Sequence, residues 1–255
     1  MQKEQIIQSQ AYKYPYHYIP NRDKNGELYP TRIWGYARSW LAASKIIERY
    51  LNKYCPRNGL HVDLGCGDGA LINFLSSTNS TKIKYIGIDY DSNAINWAKI
   101  FKKNKNVSFK KHNLLESDAL KNLQADTLSL IEVIEHIPPK TLKRFLNKTS
   151  SLIKKNGHLI LTVPHKNKVL QKKHYQHFSF KSLRDNIPKQ FRIIELWGFE
   201  SLPLPFHLRL IRKLMESKNH YFETKYTNKL IIDQLALKVS ERKTGRIFCI
   251  AQKLN

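Results

Sequence analysis

The stretch Leu60-His-Val-Asp-Leu-Gly-Cys-Gly-Asp-Gly-Ala-Leu-Ile72 constrains the fold of this chain more than any other. A short apolar run stops on Gly65, Gly67 and Gly69, and apolar residues then resume at helical spacing. This reads as a strand, a turn with its backbone laid bare, and the start of a helix. With side chains thinned out, a ligand can lie against the main chain, facing the unpaired N–H groups of the next helix. Ordinary strand-to-helix turns share the pattern, so its meaning depends on the rest of the chain.

The rest of the chain alternates strand and helix. Ahead of the turn, Tyr36, Trp40, Ala43, Ile46, Ile47 and Leu51 recur at helical spacing, predicting a helix from Ile33 to about Lys53. After the turn, Lys84 to Asp89 is a buried strand ending in an acid, and Asp91 or Ser92 can cap the next helix. A third strand runs from Val107 to about His112 and ends at Asn113-Leu-Leu. Residues 128–134 form a fourth, with Glu132 near its exit. Pro138-Pro139 then opens a helix to about Ile153, Asn156-Gly157 stops it, and His158 to Pro164 is a fifth strand. A short helix at 178–187 and strands at 191–196 and 246–251 complete the series. The expectation is an α/β fold with a doubly wound, Rossmann-like, seven-stranded sheet. Such sheets bind ligands outside the carboxyl ends of their strands, where the glycine turn, Asp89, Asn113 and Glu132 all fall.

Two additions flank this core. Residues 1–54 read as an arm and helix packed on the 55–255 domain. The arm is rich in aromatics (Tyr12, Tyr14, Tyr16, Tyr18, Tyr29, Trp34), so it is expected to pack on the core or on substrate. Residues 198–243, basic and partly helical, are too long for a plain loop and predict a lid or a substrate surface.

Lys and Arg number 44 against 20 Asp and Glu, a net charge of +24. Such a balance makes RNA, an anionic membrane surface contacted peripherally, or a phosphorylated substrate possible partners, although scattered lysines also suit a solvated surface. Cys55, Cys66 and Cys249 lack both disulfide and zinc-ligand spacing, which fits a reducing cytoplasm. No run reaches membrane-spanning length, and Met1 to Gln8 has no apolar signal core. Oligomeric state is left open.

Through Val-Asp-Leu-Gly-Cys-Gly-Asp-Gly (62–69), Gly-Ile-Asp (87–89), Asn-Leu-Leu (113–115) and Glu-Val-Ile-Glu-His (132–136), the chain resembles class I S-adenosylmethionine-dependent methyltransferases. The resemblance covers roughly residues 45–200. It implies S-adenosylmethionine as cofactor, bound by Asp63, Gly65, Cys66, Gly67, Asp89, Tyr90, Asn113, Leu114 and Glu132. Asp89 would take both ribose hydroxyls, since a carboxylate is an acceptor-only group. The family usually has Asp where Asn113 stands; Asn can still accept from the adenine amino group through its carbonyl oxygen. A nicotinamide-binding domain is the competing reading, because Asp89 lies 24 residues past Gly65. Against it, the last two glycines are two residues apart rather than three.

Methyl transfer from a sulfonium is an in-line displacement, so the protein must align the acceptor and remove its proton. Glu132, Glu135 and His136 sit at the exit of the fourth strand, and Lys173-His-Tyr-Gln-His-Phe178 borders the same edge. The Glu-x-x-Glu-His pattern resembles metal-using O-methyltransferases of ubiquinone precursors. Together with His-x-x-His it also resembles enzymes that 2'-O-methylate the 3' ends of small RNAs, although Gln176 replaces the acid of that group. These likenesses imply Glu135, His136 and His177 as catalytic residues, and Glu132, Glu135, His136 and His177 as ligands of a divalent metal, Mg or Zn. The plainer alternative has no metal, with Glu135 in solvent and a histidine as base; His165 and His174 are weaker candidates.

Val-Pro-His-Lys-Asn-Lys (163–168), Tyr-Pro-Tyr-His-Tyr (14–18) and Gly-Arg-Ile-Phe (245–248) look like uncharacterised bacterial methyltransferases of surface-polysaccharide clusters. That likeness implies a sugar or glycolipid acceptor, with Lys166, Lys168, Lys172 and Lys173 near phosphate. The function expected first is therefore O-methylation of a small-molecule or glycosyl acceptor. An RNA ribose 2'-O-methyltransferase and a non-catalytic nucleic-acid or membrane-surface module are the alternatives.

Overall fold

The structure is a computed structural model that describes residues 3–13, 21–22, 28–29, 37–78, 82–116, 120, 122–215 and 224–254. Tyr14, Tyr16, His17, Tyr18, Trp34 and Tyr36 lie outside them, as does the expected helix start at Ile33. Helix α1 (Lys3–Ala11) comes first, then a two-residue strand pair, β1 (Asn21–Arg22) and β2 (Leu28–Tyr29), and then α2 (Ala37–Tyr54).

The core then runs β3 (Leu60–Leu64), α3 (Ala70–Thr78), β4 (Lys84–Asp89), α4 (Ser92–Ile100), β5 (Val107–Lys111), β6 (Ala125–Ile131), α5 (Pro139–Ser151), β7 (Ile153–Pro164) and α6 (Phe180–Asn186). It continues with β8 (Phe191–Ser201), α7 (Phe206–Met215), α8 (Lys225–Leu235) and β9 (Thr244–Lys253). Seven strands form one sheet in the order β5-β4-β3-β6-β7-β9-β8, with β9 antiparallel to both neighbours. The chain leaves β3 toward β4 on one side and returns through β6 on the other. That reversal opens a crevice at the carboxyl ends of β3 and β6.

Side-chain alternation divides the core into two layers. Leu159, Leu161 and Val163 of β7 face Leu142, Phe145 and Leu146 of α5 and Leu183 of α6. Ile160, between them in sequence, joins the opposite layer with Ile46 and Ile47 of α2, Leu71 and Ile72 of α3 and Ile95 of α4. Asp91 caps α4, accepting from the N–H groups of Asn93 and Ala94.

The fourth strand spans Ala125–Ile131 rather than 128–134, because Ile134 belongs to a 3₁₀ turn, and two further boundaries differ from expectation. Asn156-Gly157 does not stop α5, which ends at Ser151; β7 begins at Ile153 and absorbs the pair as an irregularity, with Asn156 at φ 63°. Ile153 pairs with Ala125 and His158 with Thr127, so the extra residues bulge from the ladder. Second, β8 continues through Ser201, paired with Thr244 of β9, so residues 198–201 are strand rather than insertion. The remaining insertion packs through Leu204, Leu208, Met215, Ile231 and Leu235 around Ala42 of α2. None of its described residues lines the crevice.

Candidate active site

At the carboxyl ends of β3, β4 and β6 lies a cavity of about 270 Å³. Its floor is the glycine turn. Here φ is +82° at Gly65 and +54° at Gly67, a region L side chains avoid. A Cβ on Gly65 would lie 2.5 Å from Val133 Cγ2, and one on Gly67 would collide with the Tyr12 hydroxyl. Glu4, Gln5, Gln8 and Tyr12 of the α1 segment line the cavity, together with Trp40 of α2. Ser9 of α1 donates to Asp91, and Trp97 Nε1 donates to the Tyr12 carbonyl at 3.2 Å, tying the segment to α4.

The buried Asp89 closes β4. Its carboxylate accepts from the N–H groups of Gly67 and Asp91, each at 2.9 Å, so it clamps the glycine turn to the start of α4. Burial pushes its pKa up to about 6 although the backbone donors pull the other way. Deeper in, Ser129 Oγ donates to Asp63 at 2.5 Å, leaving His61 Nε2 to donate to Ser129 Oγ at 3.1 Å. Burial raises Asp63 to about 7 and lowers His61 to about 3, so the imidazole of this strand-to-strand network is neutral. Asn113 Oδ1 accepts from Leu115 N at 3.1 Å, which orients the amide and leaves the oxygen a second lone pair.

On the other side of the cavity, Ile134–His136 form a single 3₁₀ turn, with Glu132 just before it at φ +56°. Glu132 accepts from Thr162 Oγ1 at 3.0 Å and from Arg246 Nε at 2.9 Å. Arg246 Nη1 lies 2.6 Å from Glu200 Oε2, and Glu200 also accepts from Ser39 and Lys168. Burial works against the charge on Arg246, but Glu132 and Glu200 outweigh it and hold the guanidinium protonated. Glu132 is thereby committed to the ion pair, in contrast to its expected place among metal ligands.

Glu135 is fully buried, not solvated, and neither carboxylate oxygen meets a hydrogen-bond donor on a described residue. Burial, with Glu132 nearby, raises its pKa well above the usual carboxylate range. Beside it stand His136 and His174, with ring centroids 4.7 Å apart and planes at 89°. Each of the three offers a potential ligand atom, and these atoms all lie within 4.8 Å of one another.

Backbone carbonyls determine the tautomers, because they can only accept. His136 Nδ1 donates to Lys173 O at 2.9 Å, which leaves a lone pair on Nε2. His177 Nδ1 donates to Lys168 O at 3.2 Å, so its Nε2 must accept the Nδ1 proton of His174 at 2.8 Å. His174 Nε2 is then also a lone pair. Burial lowers His136 to about 4 and His174 to about 2, so both rings are neutral at physiological pH.

A family model described as a methyltransferase domain matches residues 34–196, more than half of the chain. The chain belongs to this methyltransferase family. It is similar in fold to the N-methyltransferase NodS from Bradyrhizobium japonicum, solved with S-adenosyl-L-homocysteine: TM-score 0.59, 11% identity, 89% of this chain and 92% of that one. It also resembles an S-adenosylmethionine-dependent methyltransferase from Archaeoglobus fulgidus, with TM-score 0.53, 18% identity, and 82% and 94% of the two chains. A Methanosarcina mazei enzyme of the same kind gives 0.52 and 18%, with 80% and 97% covered. At these identities the likeness is one of fold. No curated protein matches the sequence.

The methyltransferase uses S-adenosylmethionine, and its residues fit that cofactor: a side-chain-free turn meets a buried carboxylate at the end of β4. The family sets aside the non-catalytic module. Asp63, Gly65, Cys66, Gly67, Asp89, Tyr90, Asn113, Leu114 and Glu132 all line the cavity, as do Glu135 and His136. His177 does not; His174 stands where His177 was expected, and His177 backs it. His165 is structural, buried between Asn167 N and Glu241 Oε1. Lys168 is tied to Glu200 rather than held for phosphate. Sequence reasoning places Tyr12 and Trp40 only in an aromatic stretch expected to pack on the core or on substrate, and it misses Arg246. Arg246, a charge at the head of the apolar run Ile-Phe-Cys-Ile-Ala, carries a legible signal, because a buried charge needs partners.

Proposed function

We propose that the methyltransferase O-methylates a small-molecule or glycosyl acceptor, glycolipids included, and that Glu135, His136 and His174 hold a divalent metal at the transfer site. The observation carrying this reading is the Glu135 carboxylate, buried without a donor among the described residues and within 4.8 Å of a ring nitrogen of each of two neutral imidazoles. An isolated buried carboxylate is costly, and a cation between these groups satisfies all three. Two histidines and one carboxylate suit zinc better than magnesium, which takes oxygen ligands.

The acceptor hydroxyl attacks in line: its O–C bond forms as the C–S bond breaks, and its proton must leave. S-adenosylmethionine supplies the methyl group on a sulfonium leaving group. A bound divalent cation supplies Lewis acidity that lowers the pKa of a hydroxyl. The chain's own residues do the rest. The Lys173 carbonyl aims the His136 ring, the His177–His174 bond aims the second, and Tyr12, Trp40 and the α1 segment shield the site. Without metal, the neutral Nε2 of His136 is itself a base placed in the cavity.

The test is methyl-label transfer from S-adenosylmethionine into separated metabolite, lipid and RNA fractions, with and without EDTA. Label in metabolite or lipid that EDTA abolishes supports the reading. EDTA-resistant label removes the metal from it, and label confined to RNA replaces the acceptor with a ribose.

A further inference from the structure

The described residues of the 202–243 insertion pack around Ala42 of α2 and do not line the cavity, which directs attention to their outer surface. Helix α7 buries Leu208 and Met215 against the body of the protein. Its opposite side is apolar too: Phe206, Leu210 and Leu214, one helical turn apart, are 75%, 52% and 41% exposed. Arg209, Arg212 and Lys213 run along one flank of this stripe, and α7 contains no acid. Arg209 lies over the Phe206 ring at 5.7 Å, keeping its charge beside the apolar surface. On α8, Tyr226 and Leu230 are likewise exposed, at 84% and 47%.

A second apolar exposure lies at the rim of the cavity. Val169 and Leu170 are 89% and 54% exposed, just before the cavity-lining Gln171. Lys168, next to them, is ion-paired at 3.0 Å with Glu200, at the end of the strand that leads to α7. Exposed Lys166 and Lys172 bracket the pair.

We propose that α7, assisted by the Val169–Leu170 tip, docks this protein on an anionic lipid surface. Outward apolar stripes with basic flanks match the acyl boundary and the charged headgroups together. The charge complementarity is strong, since the chain carries +24. RNA would reward the arginines but leave Phe206, Leu210, Val169 and Leu170 without a partner. Docking so places the rim that contains Gln171 beside the headgroups. If the acceptor is a glycolipid, this orients the cavity toward it; that consequence alone rests on the function proposed above.

Vesicle co-sedimentation of the full chain tests the docking without turnover. Phosphatidylglycerol–phosphatidylcholine vesicles should retain the protein and pure phosphatidylcholine should not. Phe206→Ser with Leu210→Ser, which leaves charge unchanged, should lower affinity at least about tenfold. Arg209→Gln should lower it about fivefold. Val169→Ser with Leu170→Ser should weaken binding in the same direction. Unchanged S-adenosylmethionine affinity in each variant shows that the fold is kept. Wild-type vesicle binding by the Phe206/Leu210 variant would overturn the proposal, because charge alone would then explain adsorption. Failure of the wild type to bind either vesicle would also overturn it, whatever the acceptor proves to be.

Discussion

Nε2 of His177 accepts the Nδ1 proton of His174 across 2.8 Å, while the Lys168 carbonyl secures the far side of the His177 ring. The sequence favours His177 over His174, and the structure exchanges their places. His174 presents a lone pair to the cavity, and His177 orients it.

That division predicts different losses of metal. His174→Ala should abolish zinc or cobalt binding measured by calorimetry, and His177→Ala should weaken it about 10–100-fold. S-adenosylmethionine affinity should stay near wild type in both. Equal losses would mean that His177 is itself a ligand.

Asp89 predicts a pH dependence. Only its carboxylate form can accept both ribose hydroxyls, and burial places its pKa at about 6. S-adenosylmethionine affinity, read by calorimetry, should therefore rise as pH increases through about 6. Asp89→Asn should weaken binding and flatten that rise. The folding linkage comes from the same shift: the folded pKa exceeds the unfolded value of about 3.9. Stability from this group is full below the unfolded value and is lost as pH rises through about 6.

Arg246→Met would leave the half-buried Glu132 without its guanidinium and the buried Glu200 with Lys168 alone. A loss of about 3–5 kcal/mol in urea unfolding is expected. Adding Glu132→Gln should restore part of it, because the two positions are coupled through one ion pair. Strict additivity of the two losses would show that the pair contributes no coupling.

Gly67→Ala forces a Cβ onto a residue at φ +54° and against the Tyr12 hydroxyl. The backbone strain alone should cost about 1–2 kcal/mol. Cofactor affinity should fall as well. Tyr12→Ala in the same chain relieves the collision but not the strain, so thermal denaturation should show partial recovery.

The sheet was legible because its evidence is periodic and local: each strand ends on a residue that announces an exit, Gly65, Asp89, Asn113 or Glu132. The cofactor side of the cavity came from the same loops. The transfer side was read only in part. Which of two histidines three residues apart faces inward depends on the Lys168 carbonyl that holds His177, and no spacing rule encodes that. Glu132 looked like a ligand because its partner, Arg246, lies 114 residues away on another strand. Asn156-Gly157 misled for a related reason, since a turn pair inside a long strand becomes a bulge when the neighbouring ladder holds both sides.

Strand β9 is threaded between β7 and β8, and it brings Arg246 to the carboxylates of Glu132 and Glu200. A chain synthesised only as far as residue 243 has every other strand of the sheet, yet it has a vacant slot, Glu132 without its guanidinium and Glu200 with Lys168 alone. The cavity's charge balance thus depends on residues translated after all the others that line it. For a nascent chain this delays a competent pocket until β9 has emerged from the ribosome, and β8 can reach its place in the sheet only through β9.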